Sequence, residues 1–169
     1  MGHFDKTICD CCVCPMQCVL EQLVGEEVDI RTISLESDIV GTLMAVDSFI
    51  ATLDLNNSGE LAYISVSEVC YVEVLVPFTI KLKDIRKDKG ECSCIEDPVT
   101  NLAKSMIGEM KEIIVCNSQQ TVGDEGQNGR IVNVGEGIVL LFIESAKKGD
   151  KLSAISSCKI EIIAPPFSI

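Results

Sequence analysis

Cysteine is the residue type in this chain with chemistry to offer, and its placement repeats. There are ten in 169 residues, and five of them (Cys9, Cys11, Cys12, Cys14 and Cys18) fall within residues 9–18. Cys92 and Cys94 reproduce the spacing of Cys9 and Cys11, while Cys70 and Cys158 open two similar apolar stretches later in the chain. Cys116 has no counterpart. Thiols can ligate a metal, bridge to one another, act as nucleophiles or fill a core, and the spacing weighs these uses differently.

Zinc wants four thiolate or imidazole ligands, commonly from two separated Cys-x2–4-Cys knuckles. Cys9-x-x-Cys12, Cys11-x-x-Cys14 and Cys14-x-x-x-Cys18 have suitable spacings, but they form one cluster, and the single histidine, His3, stands outside it. The sequence favours disulfide cross-linking. The two thiols of a Cys-x-Cys rarely bridge each other, because their Cα separation and side-chain direction in an extended chain are wrong for it, so they must find partners elsewhere. An N-terminal arm bearing Cys9, Cys11, Cys12 and Cys14 could bridge to Cys92 and Cys94 of its own chain or a neighbour, with Cys70 and Cys158 as further acceptors. Cys18 and Cys116 read as buried space-fillers. A catalytic cysteine needs a base, and His3 near the chain start is a poor candidate, so no enzyme activity and no cofactor are expected.

The cysteines belong to a duplication. Residues 5–30 reappear at 88–113: Asp5-Lys6-Thr7-Ile8-Cys9-Asp10-Cys11 answers Asp88-Lys89-Gly90-Glu91-Cys92-Ser93-Cys94, Pro15 answers Pro98, and Gly25-Glu26 answers Gly108-Glu109. The match resumes where 70–77 parallels 158–165, which implies an insertion between residues 116 and 128.

Each copy must place its cysteines on the same elements. Met16, Val19, Leu20, Leu23 and Val24, like Val99, Leu102, Ala103, Met106 and Ile107, follow the spacing of one helical face. Pro15 and Pro98 suit the first turn, and Gly25 and Gly108 the stop. Asp97 predicts a cap for the second helix, where the first has Cys14. The period then changes to two. Strands are predicted at 28–32, 39–46, 49–55, 61–66 and 70–76, and again at 112–116, 129–134, 138–143, 152–155 and 158–164. Turns fall at Asp47-Ser48, at Asn56-Asn57-Ser58-Gly59 and at Lys147-Lys148-Gly149-Asp150. Gly41 and Gly129 correspond and mark bends. The alternation in 78–85 predicts one more strand, and 123–129 an acidic loop that lacks the lysine of a phosphate-binding loop.

Composition sets the remaining bounds. Two units of roughly 80 residues are near the lower limit for a self-sufficient core. The chain is 47% hydrophobic but only 4% aromatic, without tryptophan, so its cores are Val, Ile and Leu, which suits strands. A net charge of −12 repels phosphate backbones and anionic lipid, so neither nucleic acid nor membrane is an expected partner. Residues 1–6 are polar, and no secretory signal is expected. Many cysteines without an export signal imply metal binding or late oxidation.

A helix followed by five short antiparallel strands, with a tight turn through Ile64-Ser65-Val66-Ser67-Glu68-Val69 into the last, resembles an Sm-like (SH3-type) barrel. No Arg-Gly pair follows Val66 or Ile155, so the RNA-binding signature is missing. Tandem acidic, cysteine-rich modules of this kind are similar to spore-coat and spore-surface proteins of endospore-forming bacilli. The expected fold is mainly β: two tandem Sm-like antiparallel barrels, each preceded by a short helix. The expected organisation is an arm at 1–14, modules at 15–77 and 98–169, and a linker at 78–97. The resemblance implies a structural protein of coat, exosporium or appendage, made in the mother-cell cytoplasm without a signal peptide. Its partners would be other copies and other spore-surface proteins, joined at sheet edges and cross-linked through Cys9, Cys11, Cys12, Cys14, Cys92, Cys94, Cys70 and Cys158. The competing reading is an Sm-like adaptor with a zinc-ordered N-terminus.

Overall fold

An apolar helical face followed at once by glycine opens each repeat. In the computed structural model, which describes residues 12–34, 37–85, 97–115, 126–146 and 149–166, α1 spans Val13–Gln22 and α2 spans Asp97–Ser105. Gly25 and Gly108 follow at φ of 95° and 93°, a left-handed conformation that a Cβ would oppose. Pro15 lies in the first turn as expected, but the first helix starts two residues earlier than a cap at Cys14 would place it. Cys14 lies inside it, and Cys12 takes the N-cap place without a side-chain cap bond. The Asp97 side chain, expected as a cap, lies outside the described residues.

The strands are β1 Glu27–Thr32, β2 Ile39–Asp47, β3 Ile50–Leu55, β4 Glu60–Ser65 and β5 Val69–Leu75, then β6 Met110–Val115, β7 Gln127–Gly135, β8 Ile138–Ile143, β9 Lys151–Ser156 and β10 Ile160–Ala164. A 3-10 turn at Val66–Glu68 carries β4 into β5, and its copy at Ser157–Lys159 carries β9 into β10. The expected mainly β chain with one helix ahead of each strand set is present. Among the described residues the ten strands form one antiparallel sheet in the order β10-β6-β7-β8-β9-β5-β1-β2-β3-β4, which does not close on itself. Each half repeats one internal order, with its last strand beside its first, and β5 against β9 joins the halves.

Strand pairing corrects the sequence match in one place. Ile30 pairs Val72 and Thr32 pairs Val69, while their counterparts Ile113 and Val115 pair Ile163 and Ile160. Val69 is therefore equivalent to Ile160, not to Ser157, the residue the matched stretch assigns it. Cys70 takes the place of Glu161, and Cys158 that of Ser67. The cause is the β8–β9 connection, which is longer than the Asn56–Gly59 turn between β3 and β4 and shifts everything after it. The extra strand expected at 78–85 is absent. That segment spends its backbone groups on other partners: Lys81 N–H donates to Gln22 Oε1 at 2.9 Å, Gln22 Nε2 donates to Lys81 O, and Glu136 N–H donates to Lys83 O. It straps α1 to the β7–β8 turn instead of adding to a ladder.

Gly41 and Gly129 sit where strands approach too closely for a side chain. A Cβ on Gly41 would meet Asp54 O at 2.5 Å, and one on Gly129 would meet Phe142 O at 2.4 Å. Gly41→Ala is expected to lower stability by about 1–3 kcal/mol, read as a denaturant midpoint, because backbone must move to admit the methyl. Gly129→Ala should do the same.

Two apolar cores result, and they interlock at the β5–β9 joint. The first gathers α1 and β1–β5 but also Ile138, Leu140, Leu152 and Ala154 from the second half. The second gathers α2 and β6–β9 together with Cys70 and Tyr71 from the first.

Candidate functional site at the joint between the repeats

The joint is an antiparallel ladder in which Tyr71 faces Ile155, Val72 faces Ala154, Glu73 faces Ser153, Val74 faces Leu152 and Leu75 faces Lys151. Strands at the joint are buried on both faces. β5 is buried from Val69 through Val74, and β9 from Leu152 through Ser156. Their counterparts away from it, β10 and β4, are not. Double burial explains why the stretch from Val69 to Val76 is almost continuously apolar and lacks a clean alternation.

One charged residue interrupts that stretch, and the joint is organised around it. Glu73 Oε2 accepts from Lys151 Nζ at 2.7 Å, Lys151 also bonds Asp29, and Gln127 Nε2 donates to Glu73 Oε1 at 2.6 Å. Ser153 Oγ closes the set by donating to Gln127 Oε1 at 2.7 Å. Burial pushes the Glu73 carboxyl above its ordinary pKa, opposed by the Lys151 bond. Burial pulls the Lys151 ammonium down, but its bonds to Asp29 and Glu73 outweigh that and leave it raised. The ammonium thus holds two carboxylates from β1 and β5 against β9, which ties register to charge. Beside it, Arg31 Nε donates to Asp38 Oδ1 at 2.7 Å and Tyr71 donates its hydroxyl to the same oxygen at 3.0 Å. Burial raises the Tyr71 phenol well above its usual range.

Sulfur fastens the same joint. Cys12, at the start of α1, is disulfide-bonded to Cys158 in the second half, with Cα atoms 6.1 Å apart across 146 residues of sequence. Beside the bridge Thr100 Oγ1 donates to Ser157 Oγ, which lies 3.6 Å from Cys12 Sγ. Gly137 comes close enough to Pro15 and Cys12 that a Cβ there would lie 2.9 Å from Pro15 Cγ. Cys14 is also disulfide-bonded. Cys70, expected as an accessible acceptor, is a thiol wholly buried in the second core. Cys158 lies in the 3-10 turn, not on the last strand. Cys18 is a half-buried thiol on α1. Cys9, Cys11, Cys92, Cys94 and Cys116 lie outside the described residues. Among the described residues no group of three or more His, Cys, Asp or Glu side chains could hold a metal ion, and no helix is long and apolar enough to cross a membrane.

Joining β5 to β9 leaves β4 and β10 at the two ends of the sheet. These are the counterparts of β9 and β5, so the sheet ends in the same two surfaces that its centre brings together. Ile138 and Leu152 are buried at the joint, and their equivalents on the first half, Ile50 and Leu61, are exposed. Tyr63, in the place of buried Ala154, is 68% exposed. On the opposite surface Val19 of α1 is 2% exposed, whereas its equivalent on α2, Leu102, is 48% exposed.

Sequence reasoning did not find the Lys151, Asp29, Glu73 and Gln127 network. Its one legible signal was Glu73, a lone charge inside an apolar run. No family model, curated protein or solved structure matches this chain.

Proposed function

We propose that the chain is a structural, self-assembling protein made of two Sm-like units, whose copies add end to end with β4 of one against β10 of the next. A single observation carries this reading. The chain already contains the joint once, between β5 and β9, and the two strands at its sheet ends are the counterparts of that pair. The exposed apolar side chains of Ile50, Leu61 and Tyr63, and of Leu102 and Ile162, occupy the places or flanks that the internal joint buries. Covering a Leu or Ile side chain contributes roughly 1.5–3 kcal/mol, so these faces favour a second copy over water. The contact is heterologous, joining two different surfaces, and so generates a ring if the rotation closes and a fibre if it does not.

Cysteines beyond the Cys12–Cys158 bridge would then tie neighbours covalently. Cys9, Cys11, Cys92 and Cys94 are the candidates, placed by the duplication at matching points ahead of the two helices. The setting is a spore surface, and it rests on the resemblance to tandem cysteine-rich spore-coat proteins. The partners are other copies of the chain and other spore-surface proteins. The test is electron microscopy of purified protein with non-reducing gels alongside. Regular assemblies and ladders that reductant collapses support the reading, and a persistent single-chain particle defeats it.

A further inference from the structure

The two repeats differ in charge sign at one position of the joint. Lys151 opens β9 opposite Ile143, and its equivalent, Glu60, opens β4 opposite Leu55. Asp29, which receives the Lys151 ammonium, has Glu112 as its counterpart, since Glu112 precedes Ile113 on β6 as Asp29 precedes Ile30 on β1. Glu73 has Ala164, which faces Glu112 as Glu73 faces Asp29. Glu112 is fully buried, and its Oε2 has no hydrogen-bond partner among the described residues.

A joint between copies in the register of β5 and β9 would bring Glu60 of one chain to the place facing Glu112 of the next. Within the chain, that place holds a lysine bonded to two carboxylates. Backbone differs as well. Pro165 and Pro166 stand where β5 has Val74 and Leu75, and Pro165, in the place of Val74, leaves the outer edge short of one N–H donor. Glu112 lies one strand in from the joint, as Asp29 does from Lys151, and two carboxylates brought together there oppose the contact by like-charge repulsion, while proline blunts the edge.

We propose that Glu60 is the specificity-determining residue of the chain-to-chain joint. Its carboxylate, set against Glu112, keeps that joint weaker than the internal one. Copies therefore dock and separate until disulfides fix them, while the internal joint stays closed. This inference rests on the self-assembly reading and refines it.

The test compares full-length chains as alkylated monomer fractions, in which capped thiols leave only the noncovalent joint to read. Sedimentation measures the concentration at which half the protein assembles. Glu60→Lys is expected to lower it by about tenfold or more, equivalent to about 1.4 kcal/mol. Glu60→Gln should lower it by less. Glu26→Lys, an exposed position with the same change in net charge, should stay near wild type. Adding Glu112→Gln to Glu60→Lys should erase the gain, and salt should weaken Glu60→Lys assemblies. If wild type assembles and Glu60→Lys gains no more than Glu26→Lys, the role of Glu60 is overturned and self-assembly stands. If no variant assembles at any concentration, the self-assembly reading itself fails.

Discussion

Replacing Cys12 and Cys158 together by serine is expected to lower the stability of the oxidised chain by about 2–4 kcal/mol. The bridge closes a loop of 146 residues, so it removes a large share of the unfolded chain's freedom. It also acts where the two halves meet, since Cys12 begins the first helix and Cys158 lies in the turn between β9 and β10. Changing both residues avoids leaving one thiol to find another partner. For a chain of this length the loss corresponds to a melting temperature lower by roughly 4–16 °C, readable by calorimetry. The same scan under reductant should bring wild type down to or below the variant. Equal melting of variant and oxidised wild type would mean that the bridge carries no stability.

Lys151→Met is expected to cost about 2–4 kcal/mol in a denaturant titration. Methionine keeps much of the lysine stem and removes only the ammonium, which leaves Asp29 and Glu73 side by side without a cation. Breaking a buried ion pair costs about 3–5 kcal/mol, and partial exposure of the Asp29 carboxylate softens this. The penalty belongs to the stranded carboxylates and not to a lost attraction, so it should be reversible by neutralising them. Adding Asp29→Asn and Glu73→Gln to Lys151→Met should restore stability to within about 1 kcal/mol of wild type, because a buried ion pair and a neutral set of similar volume are often equivalent. A triple variant no better than Lys151→Met would show that the ammonium acts in some other way.

Much of the fold was legible because it depends on local signals. Glycines at the helix stops, the change of period from helix to strand, and Asn56-Asn57-Ser58-Gly59 with its positive φ at Asn56, Asn57 and Gly59 are fixed by steric rules that act over a few residues. What was not legible depends on contact between the repeats. Double burial at β5 and β9 is a property of the pair, and nothing in residues 69–76 alone says which strand will cover them. The segment at 78–85 alternates like a strand, yet Gln22 and the β7–β8 turn compete for its backbone groups. Cys70 and Cys158 looked equivalent because their surroundings read alike, and only the ladder to β1 and β6 shows them out of step. One became a core thiol and the other a bridge.

The most direct measurement is sedimentation velocity of the purified full-length chain under air, with Tyr63→Glu run beside it. Tyr63 is on β4 and its side chain faces solvent, so a carboxylate there leaves the folded chain intact while charging the edge. The account predicts large species for wild type that grow with concentration, and a single-chain particle for Tyr63→Glu. Wild type sedimenting as one chain at every concentration, or Tyr63→Glu assembling as well as wild type, would contradict it.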